Sequence, residues 1–155
     1  MSHPRVRVAA YVIRQQDVPE LLVFDHVDYP EAGTQIPAGG VQPGESLEEA
    51  VLRETPEETG LQTARIIRQL AVEDKPHPQT GHPRRTNFFH LQASADTPDA
   101  WVHRVLSDGS DGSDASMIFS CRFLPIPLQL PLADDQDTWL DRINRDWRTR
   151  TQPLS

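Results

Sequence analysis

Short stretches rich in valine, isoleucine, leucine and phenylalanine recur along the chain, a pattern typical of β-strands. Turns rich in glycine, proline and aspartate separate these stretches. Residues 64–73 and 85–91 are expected to pair as one hairpin, and residues 100–106 and 117–124 as another. Residues 29–34 are expected to form a loop, and 35–37 a short extended piece that leads into a glycine turn at 38–40. The predicted strands are 6–14, 21–24, 64–73, 85–91, 100–106 and 117–124.

Two segments have the spacing of amphipathic helices. The first covers residues 46–55, and the second begins near Asp134. Its apolar face is formed by Trp139, Leu140, Ile143 and Trp147. Strands interrupted by one central helix and closed by another predict an α+β fold, with a mixed β-sheet between helices. The length of 155 residues predicts one domain spanning 1–155.

The central helix places a carboxylate on its apolar side. At 100° per residue, Leu47, Ala50 and Val51 form one stripe, and Glu54 falls in the middle of it. Glu58 would also fall there if the helix continued. A carboxylate that faces a core is unfavourable unless a cation neutralises it, so a divalent metal at the edge of the core is one interpretation. A solvated acidic helix is the other, and it suits the glutamates opposite the stripe: Glu45, Glu48 and Glu49.

Pro56 follows Thr55 at the end of the predicted helix. Proline inside a helix removes one hydrogen bond and disfavours helical angles in the preceding residue. Either the last turn is reshaped, which would move Glu57 and Glu58, or the helix ends there. We expect the helix to end near Thr55.

The glutamate-rich region resembles a known family motif. Its pattern is Gly39, five residues, Glu45, seven residues, Arg53-Glu54, then Glu57-Glu58, one residue, and Gly60-Leu61. This spacing resembles the box of the Nudix hydrolases and covers 23 of the 155 residues. Thr55 departs from the aliphatic residue that is usual at its position. The resemblance implies a Nudix-type α/β/α sandwich.

The resemblance also implies a metal-dependent site. Mg²⁺ is the expected cofactor, with Mn²⁺ as a substitute, because clustered carboxylates supply the oxygen ligands that Mg²⁺ prefers. Glu57 and Glu58 are expected to bind the metal, and Glu54 to bind it or to position the attacking water. Arg53 is expected to hold a box carboxylate, with Glu45 as its partner.

Several neighbouring residues are expected to complete the site. The backbone carbonyl of Ala38 is a further metal-ligand candidate beside the box. Gly39 and Gly40 suit a turn at which the backbone approaches the substrate closely. Arg84 and Arg85 precede a strand, where one of them could bind a substrate phosphate, although a solvated pair is the alternative.

The general base stays open at the level of sequence. Glu54 is one candidate, and carboxylates on a later polar loop are the others: Asp108, Asp111 and Asp114. That loop also has the composition of an ordinary hairpin tip.

Other polar and aromatic residues have structural explanations. His77 and His82 flank a turn without further ligands nearby, which disfavours a metal site. Trp101 and His103 share a strand face and could contact a nucleobase, but core packing is the default. Phe88 and Phe89 are expected in the core on opposite faces of the sheet, and Cys121 as a small buried residue.

Composition limits the partners. The net charge of −8 argues against duplex nucleic acid, and a phosphate substrate requires local positive charge from metals and arginines. Neither a membrane-spanning run nor a signal segment is expected, and the single cysteine suits the cytoplasm. A small nucleotide-type substrate is the expected partner, and a homodimer is expected from the family alone.

Taken with the resemblance, these features predict a Mg²⁺-dependent hydrolase that splits a nucleoside diphosphate linked to a group X into a nucleoside monophosphate and phosphorylated X. The box specifies how a pyrophosphate is held, so nucleotide sugars, oxidised nucleoside triphosphates, dinucleoside polyphosphates and RNA 5′ ends stay open. The acidic charge disfavours RNA. A non-catalytic Nudix-like sensor is the alternative, which Pro56 favours and the complete glutamate set disfavours. A box-bearing isomerase is a third interpretation.

Overall fold

The computed structural model describes residues 3–105 and 117–143. Within these ranges the chain forms seven strands, one long helix and two short 3₁₀ turns. In chain order they are β1 (Arg5–Gln15), β2 (Pro19–His26), a 3₁₀ turn (Pro30–Ala32), β3 (Ala38–Gly40), α1 (Leu47–Thr59), β4 (Arg65–Asp74), β5 (Arg84–Gln92), β6 (Ala100–Val105), β7 (Met117–Pro125) and a second 3₁₀ turn (Ala133–Asp135).

The seven strands form one mixed sheet. Its order is β4-β5-β1-β2-β7-β6, and β3 pairs with β1 outside this path. Strands β1 and β5 run parallel, whereas β1 pairs antiparallel with both β2 and β3. The two predicted hairpin pairs are confirmed as the antiparallel ladders β4–β5 and β6–β7.

Apolar side chains cover both faces of the sheet because successive strand residues point to opposite sides. On one face Val8, Ala10 and Val12 of β1 pack with Ala50 and Val51 of α1. On the other, Ala9, Tyr11 and Ile13 pack with Leu140 and Ile143 from the helical residues 140–143. The expected α/β/α arrangement with a mixed sheet is therefore confirmed. Phe88 and Phe89 lie in opposite cores, as predicted, and Cys121 is fully buried.

The last element starts near Asp134, as predicted, but as a 3₁₀ turn at Ala133–Asp135 and not as an α-helix. Asp134 and Asp135 have left-handed backbone angles, with φ of 54° and 52°, and α-helical structure starts only at residue 140. The side chain of Asp134 forms ion pairs with Arg84 and Lys75, and these contacts come from other parts of the chain. Trp147 lies outside the described residues.

Residues 38–40 form a strand, whereas the sequence predicted a turn. Gly40, Gly39 and Ala38 pair with Arg7, Val8 and Ala9 of β1. Two glycines disfavour a strand in isolation, but the ladder to β1 holds this one in place. No helix in the described part of the chain is long and apolar enough to cross a membrane.

Candidate active site

Helix α1 begins with a capping box. Ser46 Oγ accepts a hydrogen bond from the Glu49 amide at 3.1 Å, and the Ser46 amide donates to Glu49 Oε1 at 2.9 Å. Glu48 and Glu49 also lie in the first turn, where the positive end of the helix dipole favours negative charge. These local interactions fix where the helix begins.

The helix continues through Pro56 to Thr59, so the predicted end near Thr55 is wrong. Thr55 Oγ1 donates to the Val51 carbonyl at 2.9 Å, and Thr59 Oγ1 donates to the Thr55 carbonyl at 2.7 Å. Both threonines are buried. Gly60 ends the helix in the left-handed conformation with φ of 79°, and its amide donates to the Pro56 carbonyl.

Strand β6 holds the last turn of α1 from outside. Trp101 Nε1 donates to the Thr59 carbonyl at 2.6 Å, and His103 Nε2 donates to the Glu57 carbonyl at 3.0 Å. Trp101 and His103, which were candidates for a nucleobase contact by sequence, therefore bind the end of the helix. Because α1 continues, Glu58 lies one turn beyond Glu54 on the side that faces β3.

Gly39 allows Glu54 to lie directly against the backbone of β3. A β-carbon at position 39 would lie 2.2 Å from the Glu54 carboxyl carbon, much closer than any real contact. The side chain of Glu54 is only 13% exposed, and burial raises its pKa. The glycine of the motif thus makes room for the first of the paired glutamates.

Glu58 contacts the same strand. Its Oε1 accepts a hydrogen bond from the Ala38 amide at 2.7 Å. Burial raises the pKa of Glu58 to about 8, and the negative charges of Glu54 and Glu57 act in the same direction. The Ala38 amide and the charge of Arg7 act against this shift but do not cancel it. A cation beside this carboxyl group would remove the penalty for its charged form.

Arg53 connects the glutamates to β3. Its guanidinium forms two hydrogen bonds with Glu45, at 2.7 and 2.9 Å, so the expected pair is present. It also donates to Glu54 Oε1 at 2.7 Å, Glu57 Oε2 at 3.2 Å and the Gly40 carbonyl at 2.9 Å. These hydrogen bonds raise the pKa of Arg53 and hold the pKa of Glu45 at about 2.

The donor chemistry of Glu54, Glu57 and Glu58 suits a hard divalent cation, because these side chains offer carboxylate oxygens. Within residues 3–105 and 117–143, no three acidic, histidine or cysteine side chains converge as a ready-made metal cage. Glu57 is half exposed and turned toward Arg53. The fit is therefore to a cation such as Mg²⁺, which uses one or two carboxylates and completes its shell with water and phosphate oxygens.

A cationic cavity lies beside the carboxylates. Its volume is 580 Å³, and its walls are Arg5, Arg7, Gly39, Gly40, His77, Thr80, His82 and Arg84. Arg5, Arg7 and Arg84 point to the sheet face opposite α1, because Arg5 pairs in register with Arg84 on the parallel strand β5. Arg5 and Arg7 were missed by the sequence analysis, although two arginines spaced by two on one strand indicate a shared face.

Arg84 and Arg85 separate to opposite faces. Arg84 is buried in the cavity wall and pairs with Asp134 at 2.8 Å. Arg85 pairs with Asp74 at 2.9 Å and is half exposed, away from the cavity. The structure therefore brings Gly39, Gly40 and Arg84 together and excludes Arg85 from this group. The base candidates Asp108, Asp111 and Asp114 lie outside the described residues.

Comparisons with known proteins identify the family of the chain. A family model described as NUDIX domain matches residues 3–142. The NAD-capped RNA hydrolase of Schizosaccharomyces pombe is 38% identical over 69 residues, which are 44% of this chain and 18% of that protein. The chain therefore spans less than a fifth of the length of this curated relative. These two matches support the expectation of a hydrolase that acts on phosphoric anhydride bonds.

Solved structures share the fold. Shewanella oneidensis NrtR is 20% identical, with a TM-score of 0.67, over 94% of this chain and 64% of that one. The NUDIX domain of NrtR, solved in complex with ADP ribose, is 19% identical with a TM-score of 0.64, over 97% of this chain and 91% of that one.

Proposed function

Because the chain belongs to the NUDIX domain family, we propose that it is a Mg²⁺-dependent hydrolase of nucleoside diphosphates linked to another group. The products are a nucleoside monophosphate and the phosphorylated group. One observation carries the proposal: Glu54 and Glu58 lie against β3, and the pKa of Glu58 is raised to about 8. Two neighbouring carboxylates with little solvation need a cation, and a bound cation attracts a diphosphate.

The residues of the chain have distinct tasks in this reaction. Water attacks one phosphorus of the diphosphate, the bridging P–O bond breaks, and the bridging oxygen leaves with the other phosphate. When bound, a divalent cation offsets the charge of the diphosphate and lowers the pKa of water. Glu54 and Glu58 would hold the cation, with Glu57 and the Ala38 carbonyl as further ligands.

Arg53 acts as a positioning residue. Its five donors bind three glutamates and the Gly40 carbonyl, which fixes α1 relative to β3. Glu54 is also our candidate base among the described residues, as an alternative to its role as a ligand, because its carboxyl group lies beside Glu58 at the same strand. Gly39 makes room for the Glu54 carboxylate, and Gly40 lies in the wall of the cationic cavity beside Arg5.

The substrate panel follows from the comparisons. The NrtR domain was solved with ADP ribose, which is a nucleoside diphosphate linked to a sugar. The curated relative acts on NAD-capped RNA, where a diphosphate joins two nucleosides. Both ligands contain the linkage that we propose is cleaved. A cytoplasmic location and a homodimer stay predictions.

The test is a phosphate-release screen with Mg²⁺ or Mn²⁺. The panel contains ADP ribose, nucleotide sugars, NADH, NAD-capped RNA, dinucleoside polyphosphates and nucleoside triphosphates. Glu58→Gln is the inactivating variant, and Glu48→Gln is the matched control, because Glu48 is exposed on the first turn of the same helix. Turnover of one class that is lost only in Glu58→Gln is the expected result. Equal turnover by both variants would contradict the assignment.

A non-catalytic sensor is the second candidate. The observation that favours it is that Glu57, one of the box glutamates, is half exposed and pairs with Arg53. Pro56 does not favour the sensor, because α1 continues through this residue to Thr59. A protein that binds a panel member but releases no product with either metal would replace the hydrolase proposal with this one.

A further inference from the structure

We propose that the cationic cavity formed by Arg5, Arg7, Arg84, His77 and His82 binds a phosphate group of the substrate other than the two phosphates that are separated. This inference rests on the proposed function and refines its substrate class. The preferred substrate then carries either a third linked phosphate or a phosphate monoester on the attached group. A substrate whose diphosphate joins two uncharged groups would place no phosphate in the cavity.

The three arginines are not equally compensated. Arg84 pairs with Asp134, and its guanidinium also donates to the carbonyls of Lys75 and Pro76. Asp134 is shared with Lys75, whose ammonium group lies 3.1 Å away. Within residues 3–105 and 117–143, the side chains of Arg5 and Arg7 have neither a hydrogen bond nor an ion pair. Two guanidinium charges are thus available to a ligand.

The position of Arg7 is unfavourable for a cation in the absence of an anion. Burial lowers the pKa of Arg7, and the neighbouring charges of Arg84 and Arg5 lower it further. Attraction to Glu58 and Asp134 opposes this effect without reversing it. A phosphate in the cavity would relieve the mutual repulsion of the three guanidinium groups. This local excess of positive charge occurs in a chain whose net charge is −8.

The histidines add hydrogen-bond donors to the cavity wall. His77 Nδ1 accepts hydrogen bonds from the amides of Gln79 and Thr80, at 3.1 and 3.2 Å. Its proton is therefore on Nε2, which is the nitrogen able to donate to a phosphate. The His77 amide donates to the His82 carbonyl at 2.9 Å, so the two histidines sit on one closed turn.

The cavity is close enough to the carboxylates for one substrate to reach both. Gly39 faces Glu54, and the adjacent Gly40 faces Arg5, whose Nη2 would lie 2.8 Å from a β-carbon at position 40. The Glu54 carboxyl carbon and Arg5 Nη2 are thus no more than about 12 Å apart, because only one trans peptide separates the two glycines. A phosphorylated substrate whose diphosphate lies at Glu54 and Glu58 can place a further phosphate among the arginines.

Matched substrate pairs test the inference. NADPH and NADH differ by one phosphate monoester, as do coenzyme A and its dephospho form, whereas a nucleoside triphosphate and its diphosphate differ by one linked phosphate. We expect kcat/KM to favour the phosphate-bearing member of one pair by about tenfold or more, the contribution of a charge-assisted hydrogen bond. The pair that shows the preference distinguishes a monoester from a linked phosphate.

Variants assign the preference to the cavity. Arg7→Gln and Arg5→Gln should lower the preference toward unity, and Arg5 is exposed, so its replacement does not threaten the fold. Arg85→Gln is the matched control, because Arg85 adjoins Arg84 in sequence but points to the opposite face. No preference in any pair, or a preference that both cavity variants retain, would overturn the inference.

A binding measurement separates this inference from the proposed hydrolase activity. Inorganic tripolyphosphate is added to metal-free protein, and the shift in melting temperature is recorded. The wild type and Arg85→Gln should show a positive shift that Arg7→Gln and Arg5→Gln reduce, even if every panel substrate is inert. An equal shift in all four proteins, or none in the wild type, would contradict a phosphate site at these arginines.

Discussion

The carboxyl group of Glu54 occupies the space that a side chain at Gly39 would need, with 2.2 Å between the carboxyl carbon and the position of a β-carbon. The motif glycine and the motif glutamate, fifteen positions apart, are thus parts of one contact between β3 and α1. The backbone of Gly39 is not in the left-handed region, so the requirement for glycine here comes from space alone.

Gly39→Ala should therefore inactivate the site without unfolding the protein. The added methyl group displaces the Glu54 carboxylate, and we expect the hydrolysis rate to fall by about a hundredfold or more, as when a positioned catalytic group moves by about 1 Å. The check is a rate assay combined with circular dichroism. Gly40→Ala is the contrast when the substrate carries no phosphate beyond the diphosphate, because a methyl group there meets only the movable end of the Arg5 side chain. Equal losses in both variants would argue against a specific role for the Gly39–Glu54 contact.

The metal-free protein should become less stable as the pH rises from about 4.5 to about 8. The pKa of Glu58 is raised to about 8 in the folded state, whereas the pKa of a glutamate in an unfolded chain is about 4.3. The folded state thus binds this proton more tightly. The resulting stabilisation is complete below the unfolded pKa and is lost as the pH approaches 8. Glu54, whose pKa is also raised by burial, acts in the same direction.

Melting temperatures in EDTA across this pH range measure the effect. The difference in melting temperature between wild type and Glu58→Gln should change with pH across this range. Added Mg²⁺ should stabilise the wild type most at the upper end of the range, where the carboxylates are charged. A Glu58→Gln variant that parallels the wild type at every pH would disprove the assigned titration.

Arg53→Lys should be almost as damaging as Arg53→Gln. The guanidinium binds Glu45 through two nitrogens and reaches Glu54, Glu57 and the Gly40 carbonyl at the same time. A lysine carries the same charge but lacks this planar set of donors. We expect kcat to fall by about a hundredfold or more in both variants, measured with saturating Mg²⁺. Near-complete rescue by lysine would mean that charge alone is sufficient.

Pro56→Ala should stabilise the protein and leave the rate unchanged. Proline supplies no amide to the Leu52 carbonyl one turn earlier, although α1 continues past it. Alanine restores this hydrogen bond, which should raise the free energy of unfolding by about 1 kcal/mol, as for an ordinary helix hydrogen bond. Urea unfolding measures the change. A sharp loss of activity would instead mean that the last turn of α1 needs the proline for its shape.

The residues that sequence predicted well are those whose behaviour depends on local spacing. The periodicity of β5 and of α1 placed Phe88, Phe89, Val51 and Glu54 on the correct faces, and the motif indicated the Arg53 partner. The end of α1 was predicted wrongly because its last turn depends on tertiary contacts. Trp101 and His103 lie more than 40 residues away in sequence and still bind its final carbonyls.

The cationic cavity could be predicted only in part for the same reason. Arg84 was a candidate by its position before a strand, but the parallel register of β1 and β5 brings Arg5 and Arg7 beside it. The alternation of residues within one strand predicts which of its side chains share a face. It does not predict which neighbouring strand contributes side chains to that face. Alternation along a strand indicates that Arg84 and Arg85 point to opposite faces, but only the structure shows that Arg84 is the one beside the cavity.

Strand β3 is three residues long, yet its two faces carry opposite charge: carboxylates contact it at Gly39, and a guanidinium contacts it at Gly40. Charged side chains of opposite sign thus lie on the two sides of a single backbone. Under the proposed function, a molecule with a bound cation at one end and a free anion at the other would fit this strand in one orientation better than in the reverse. The asymmetry of three residues would then give an asymmetric substrate a preferred direction.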